Sequence, residues 1–134
     1  MPCFPRGMID QVFASPNYEL AKSLLDASAL RHEALATNLA NIETPGFKRL
    51  DLAPDFARQL ETYSTRSDGH SPAALEPKIS EDLTARAVRP DGNNVQLDHE
   101  LLEMNRNSLE YDLLTQFASD SLKRLKSAIT GRAF

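Results

Sequence analysis

The chain has 134 residues, 41% of them hydrophobic, 25% charged and 7% aromatic, the mix of one ordinary folded domain. Lys and Arg total 15 against 19 Asp and Glu, and the net charge of -4 excludes a basic nucleic-acid binder. One Cys excludes a disulfide framework or a multi-cysteine zinc site, and no stretch approaches the ~20 apolar residues of a membrane-spanning helix.

Residues 1–16, punctuated by Pro2, Pro5, Gly7 and Pro16, read as a flexible lead-in. They lack the apolar run of a cleaved export signal. Taken alone this indicates the cytoplasm, and it leaves open export without cleavage.

Residues 17–43 contain neither Gly nor Pro and read as a helix, with Ser15 or Asn17 as its cap. Leu20, Leu24, Ala27, Leu35, Leu39 and Ile42 form its apolar stripe, which Arg31 and Asn38 interrupt. Thr44 precedes Pro45 and is pushed out of the helical region. Pro45 and Gly46 suit the centre of a type II turn, with Gly46 at positive φ.

The middle, residues 44–90, holds five of the eight prolines and reads as turn and irregular, partly disordered chain. Leu50, Leu52, Phe56 and Leu60 allow an amphipathic turn or two, and a short extended piece is expected near Ile79.

Residues 91–134 read as a long helix and its tail. Asp91-Gly92-Asn93-Asn94 is a turn, Asn94 the expected N-cap and Gly131 the expected C-terminal stop. One apolar row runs Leu101, Met104, Tyr111, Ala118, Leu122, Leu125, Ile129; a second runs Leu102, Leu109, Leu113, Phe117. Acids crowd the first half (Asp98, Glu100, Glu103, Glu110, Asp112) and bases the end (Lys123, Arg124, Lys126), complementing the helix dipole. The fold expected is all-α: N- and C-terminal helices paired as a coiled-coil hairpin around an irregular middle. Two such helices leave an apolar face over, so they are expected to order fully only on assembly.

No catalytic constellation is present. His32-Glu33 begins an HExxH motif, but position 36 is Ala. His70 and His99 stand in other segments, and Cys3 has no neighbouring base. The carboxylates Glu100 and Glu103 are accounted for by the helix dipole and solvation. No enzyme activity, metal, cofactor, nucleic acid or small-molecule substrate is therefore expected. The amides Asn38 and Asn41 stand three residues apart on one helix surface, where they either fix register against a neighbouring chain or face water.

The run Leu30-Arg31-His32-Glu33-Ala34-Leu35-Ala36-Thr37-Asn38-Leu39-Ala40-Asn41-Ile42-Glu43-Thr44-Pro45-Gly46-Phe47-Lys48 resembles the N-terminal signature of bacterial flagellar rod and hook proteins. The run Asp91-Gly92-Asn93-Asn94-Val95-Gln96-Leu97-Asp98-His99-Glu100-Leu101, continued by Asn105, Asn107 and Tyr111, resembles their C-terminal motif. Phe47 replaces a frequent Tyr and Gln96 a frequent Asp. The 47 residues between the helices are too few for the β-rich insertion of distal rod and hook proteins, so the resemblance is to a short, proximal rod member.

That resemblance implies a structural subunit of the basal body's periplasmic rod, exported unfolded by the flagellar type III apparatus without cleavage. Terminal helices of such subunits pair into the coiled-coil wall of a hollow, torque-transmitting axle. Its partners would be other rod subunits, copies of itself, and the proteins at the export gate and membrane-ring junction. The competing expectation is a small helical chaperone or adaptor of flagellar export that stays in the cytoplasm. The assembly interface is expected at Leu24, Leu35, Asn38, Asn41, Ile42, Thr44, Pro45, Gly46, Phe47, Asn93, Asn94, Val95, Leu101, Met104, Tyr111, Leu122, Leu125 and Ile129.

Overall fold

The computed structural model describes residues 16–65, 76–85 and 89–131. The expected lead-in falls almost wholly on residues outside this set, as do His70 and part of the expected irregular middle.

Helix α1 spans Pro16–Ala40. Proline fits the first helical position, where its missing N–H would be unpaired in any case. A turn follows, in which the Phe47 N–H donates to the Thr44 carbonyl at 3.3 Å and Gly46 takes φ 74°, as the Pro-Gly pair foretold.

The chain then makes strand β1 (Leu50–Leu52), helix α2 (Pro54–Thr65) and strand β2 (Ile79–Glu81). The strands pair antiparallel, Leu50 opposite Glu81 and Leu52 opposite Ile79. The extended piece expected near Ile79 is β2. The chain is mainly α, but the described part of the middle is more ordered than its composition suggested. A two-stranded sheet alone is marginal in water. This one is held because α1 lies against β1 and because Arg49, just ahead of β1, is anchored from three sides.

Helix α3 spans Leu97–Thr130, 34 residues or roughly 51 Å. Gly131 ends it at φ 63°, donating its N–H to the Ser127 carbonyl, as expected of a glycine stop. The start corrects the sequence expectation. Position 96 (Gln96) is the N-cap, with no side-chain cap bond. Asn94 cannot cap, because its amide oxygen accepts the Arg49 N–H at 2.7 Å.

Helices α1 and α3 pack antiparallel: Ser28 meets Asn107, Arg31 meets Glu103 and Asn38 meets Glu100. The row of α3 buried against α1 is Glu100, Glu103 and Asn107, one position before the apolar row Leu101, Met104 and Ser108. Carboxylates and amides thus fill the seam opposite the small, buried Ala27 and Ala34 and the Leu35 side chain of α1. Leu101 and Leu122 stand outside this seam, each more than 40% exposed. The buried apolar side chains among the described residues are few: Ala21, Ala27, Ala34, Leu35, Phe56 and Val95.

Candidate functional site

The two motifs far apart in sequence meet at one place, where the end of α1 abuts the start of α3. Asn93, fully buried, lies beneath the end of α1. Its side-chain amide donates toward the carbonyls of Asn41 and Ile42 at 3.1 Å and of Thr44 at 2.9 Å. Two amide hydrogens face three acceptors, so at least one is shared. These carbonyls stand just past the end of α1, and Asn93 adds a donor to each beside the Thr44 N–H on Asn41, Arg89 on Ile42 and the Phe47 N–H on Thr44. Asn93 Oδ1 in turn accepts the Val95 N–H at 2.8 Å, which bends the chain into α3.

Further bonds close the junction. The Gly46 N–H donates to the Asp91 carbonyl at 2.9 Å, Arg89 Nη2 to the Ile42 carbonyl at 3.0 Å, and Lys48 Nζ to the Gly92 carbonyl at 2.6 Å. A Cβ on Gly92 would stand 3.6 Å from the Gly46 Cα, so the two turns are in van der Waals contact.

Asn38 acts as a piece of strand. Its Oδ1 accepts the Leu50 N–H and its Nδ2 donates to the Leu50 carbonyl, both at 2.8 Å, so the amide pairs with the backbone of β1. The same Nδ2 reaches Glu100 Oε2 at 3.0 Å. Asn41 bonds locally, donating to the Thr37 carbonyl and accepting from Thr44 Oγ1.

Below the amides lies a chain of charges. Arg49, 4% exposed, reaches Glu100 at 2.6 Å through Nε, Asp82 at 2.5 Å through Nη1 and Asp51 at 3.0 Å through Nη2. Arg31 bridges Asp51 at 3.0 Å and Glu103 at 2.9 Å. Two guanidinium groups thus tie four carboxylates drawn from β1, the end of β2 and α3. No buried side-chain nitrogen or oxygen among the described residues lacks a partner.

Burial alone would lower the pKa of Arg49, but the hydrogen bond and charge of Glu100, with Asp51 and Asp82, raise it well above its ordinary value. For Arg31, too, burial opposes the charge, and the bond and charge of Asp51, with Glu103, outweigh it. Burial pushes the Asp51 carboxyl up; the Arg31 bond, the Leu52 N–H and the two guanidinium charges hold it below its ordinary value. Asp82 is likewise held low, against desolvation, by Thr84 and Arg49.

The expected site residues therefore divide. Leu35, Asn38, Asn41, Ile42, Asn93, Asn94 and Val95 gather at the junction, where the amides make their bonds within the chain. Thr44, Pro45 and Gly46 are exposed on the turn, with Phe47 half-buried beside them. Leu24 is half-buried and lines a groove with Phe56 and Leu114. Leu101, Tyr111, Leu122 and Ile129 lie exposed along α3, with Met104 and Leu125 half-buried.

Arg49, Asp51 and Asp82 were not expected at the site. Glu100 corrects the reading of a solvated carboxylate near a helix start, for its side chain is fully buried and paired. Arg31 did carry a signal, as a charge breaking the apolar stripe of α1. Among the described residues no group of three or more His, Cys, Asp or Glu is placed to hold a metal ion, and no helix is long and apolar enough to cross a membrane. The arrangement is chemically a clamp that fixes two helix ends and a strand pair.

No family model matches the chain. Among curated proteins, it is 33% identical over 117 residues to the flagellar basal body rod protein FlgB of Aquifex aeolicus, covering 85% of this chain and 93% of that protein. It is 30% identical over 140 residues to FlgB of Salmonella typhimurium, covering 92% and 99% respectively. Against FlgB of Escherichia coli (strain K12) the identity is 29% over 138 residues, covering 91% and 97%. With both sequence motifs folded into one junction and relatives matched along nearly their whole length, the chain belongs to the FlgB family of flagellar basal body rod proteins.

Proposed function

We propose that this flagellar basal body rod subunit self-associates through its terminal helices, which pair with those of neighbouring subunits as coiled coils in the wall of a hollow, torque-transmitting axle. Its neighbours in this reading are copies of itself, other rod subunits, and the proteins where the rod meets the export gate and membrane ring. The carrying observation is the surface of α3. Of the large apolar side chains exposed among the described residues, all but Leu83 lie on this one helix, from Leu97 to Ile129. An exposed apolar surface of that length marks a contact with another chain. The buried clamp supports the same reading, since it fixes how α1 and α3 are presented.

Leu101, Met104, Tyr111, Leu122, Leu125 and Ile129 are proposed interface residues; Leu35, Asn38, Asn93, Asn94 and Val95 are proposed to act by shaping the interface from within. The relatives reported above are rod proteins, so the reading as a cytoplasmic export chaperone has no support. The test is Leu122→Asp, at a position 44% exposed. The variant is expected to be made and secreted but to be missing from purified basal bodies, with motility lost. Normal motility would overturn the proposed packing.

A further inference from the structure

Helix α3 carries two apolar strips at different heights and on different sides. The middle strip is Leu109, Leu113 and Phe117, each more than half exposed. The end strip is Leu122, Leu125 and Ile129. Leu113 and Ile129 stand sixteen residues apart, which at 3.6 residues per turn places them roughly 160° apart around the helix. Leu109 and Leu125 have the same relation.

The end strip also lies beyond the reach of described α1. Ser28 packs on Asn107 in an antiparallel pair, so Pro16, where described α1 begins, comes level with roughly residue 119 of α3. Ile129, 77% exposed, stands well past that point.

Charge follows the same division. Glu110 and Asp112, both exposed, flank the middle strip; Lys126, also exposed, stands beside the end strip, with Lys123 and Arg124 at the same height on the other side of the helix. Long basic side chains can lie along apolar surface and reach a carboxylate at its edge. A helix end of one copy set beside the middle of another therefore joins opposite charges as well as apolar strips.

We infer that the end strip of α3 in one copy seats on the middle strip of α3 in a second copy, the helices parallel and offset by about sixteen residues, or ~24 Å. This rests on the rod-subunit reading above. The two strips decide against a closed pair. A two-fold contact uses the same face of both helices, whereas these strips face nearly opposite ways. Each copy keeps its second strip free for a third copy, so the contact propagates.

The test uses intact basal bodies from cells carrying two versions of the chain, Leu113→Cys and Ile129→Cys, each with Cys3→Ser, treated with a short bis-maleimide. Both positions are exposed, so neither change disturbs the fold. A cross-linked dimer is expected when both versions are present and not when either is alone. Basal bodies that contain both versions and yield no such dimer would overturn the inference and leave rod membership standing. A dimer from Ile129→Cys alone would overturn the offset in the same way. An unmodified chain missing from basal bodies altogether would overturn both readings. The unmodified chain gives a second measure through a zero-length carbodiimide link. Glu110 and Lys126 of one helix lie ~24 Å apart, so a link between them must join two copies; its absence from assembled rods would count against the offset.

Discussion

The side-chain amide of Asn93 meets the backbone carbonyl of Thr44 at 2.9 Å, across 49 residues of sequence. Through this bond and those to Asn41 and Ile42, the start of α3 completes the end of α1. The asparagines shared by the two motifs fix the angle at which the terminal helices leave their junction.

Asn93→Ala is expected to destabilise the chain by about 2–3 kcal/mol, because three carbonyls each lose one of their donors and the buried Val95 N–H loses its acceptor. Asn93→Asp should cost at least as much, since it sets a carboxylate against three carbonyl oxygens. Chemical denaturation of the two variants beside wild type measures this; an unchanged midpoint would remove Asn93 from the clamp.

Arg49→Met should cost about 3–5 kcal/mol, the penalty for leaving buried carboxylates without their counter-charge. Arg49→Lys should recover little, because one ammonium cannot fork to Glu100, Asp82 and Asp51 together. Thermal melts of both variants decide, and a full rescue by lysine would show that charge alone suffices.

Acid should loosen the same place. Asp51 and Asp82 are held below their ordinary pKa of 3.8 in the folded chain. A lowered folded pKa contributes stability that is fully present above the unfolded value and lost as pH falls through the folded one. Stability is therefore expected to be flat in this contribution near neutrality and to fall below about pH 4. Asp51→Asn and Asp82→Asn together should flatten that fall in a pH series of melts.

Gly92, at φ 83°, should tolerate Ala poorly. The cost comes from the left-handed backbone, about 1–2 kcal/mol, as the added Cβ meets Gly46 only at an ordinary contact distance of 3.6 Å. Denaturation of Gly92→Ala against wild type reads that loss.

The sequence made some of this legible. Pro45-Gly46 and Gly131 announce a turn and a helix end because few residues accept positive φ. The long Pro-free runs announce α1 and α3. The row of α3 that packs on α1 was not legible, because an apolar row is ordinarily the buried one. Here the buried row is Glu100, Glu103 and Asn107, whose partners Arg49, Arg31 and Ser28 come from 51 to 79 residues away. No local pattern carries such pairings. The same limit hid the partner of Asn38, the backbone of Leu50, and strand β1 with its pairing to β2, which depends on Arg49.

Density for this chain in an intact basal body tests the account most directly. The chain should stand in the rod with the Asn93 junction formed and with Leu109, Leu113, Phe117 and Leu122 of α3 covered by neighbouring subunits. A rod without this chain, or one in which those side chains face open solvent, would contradict it.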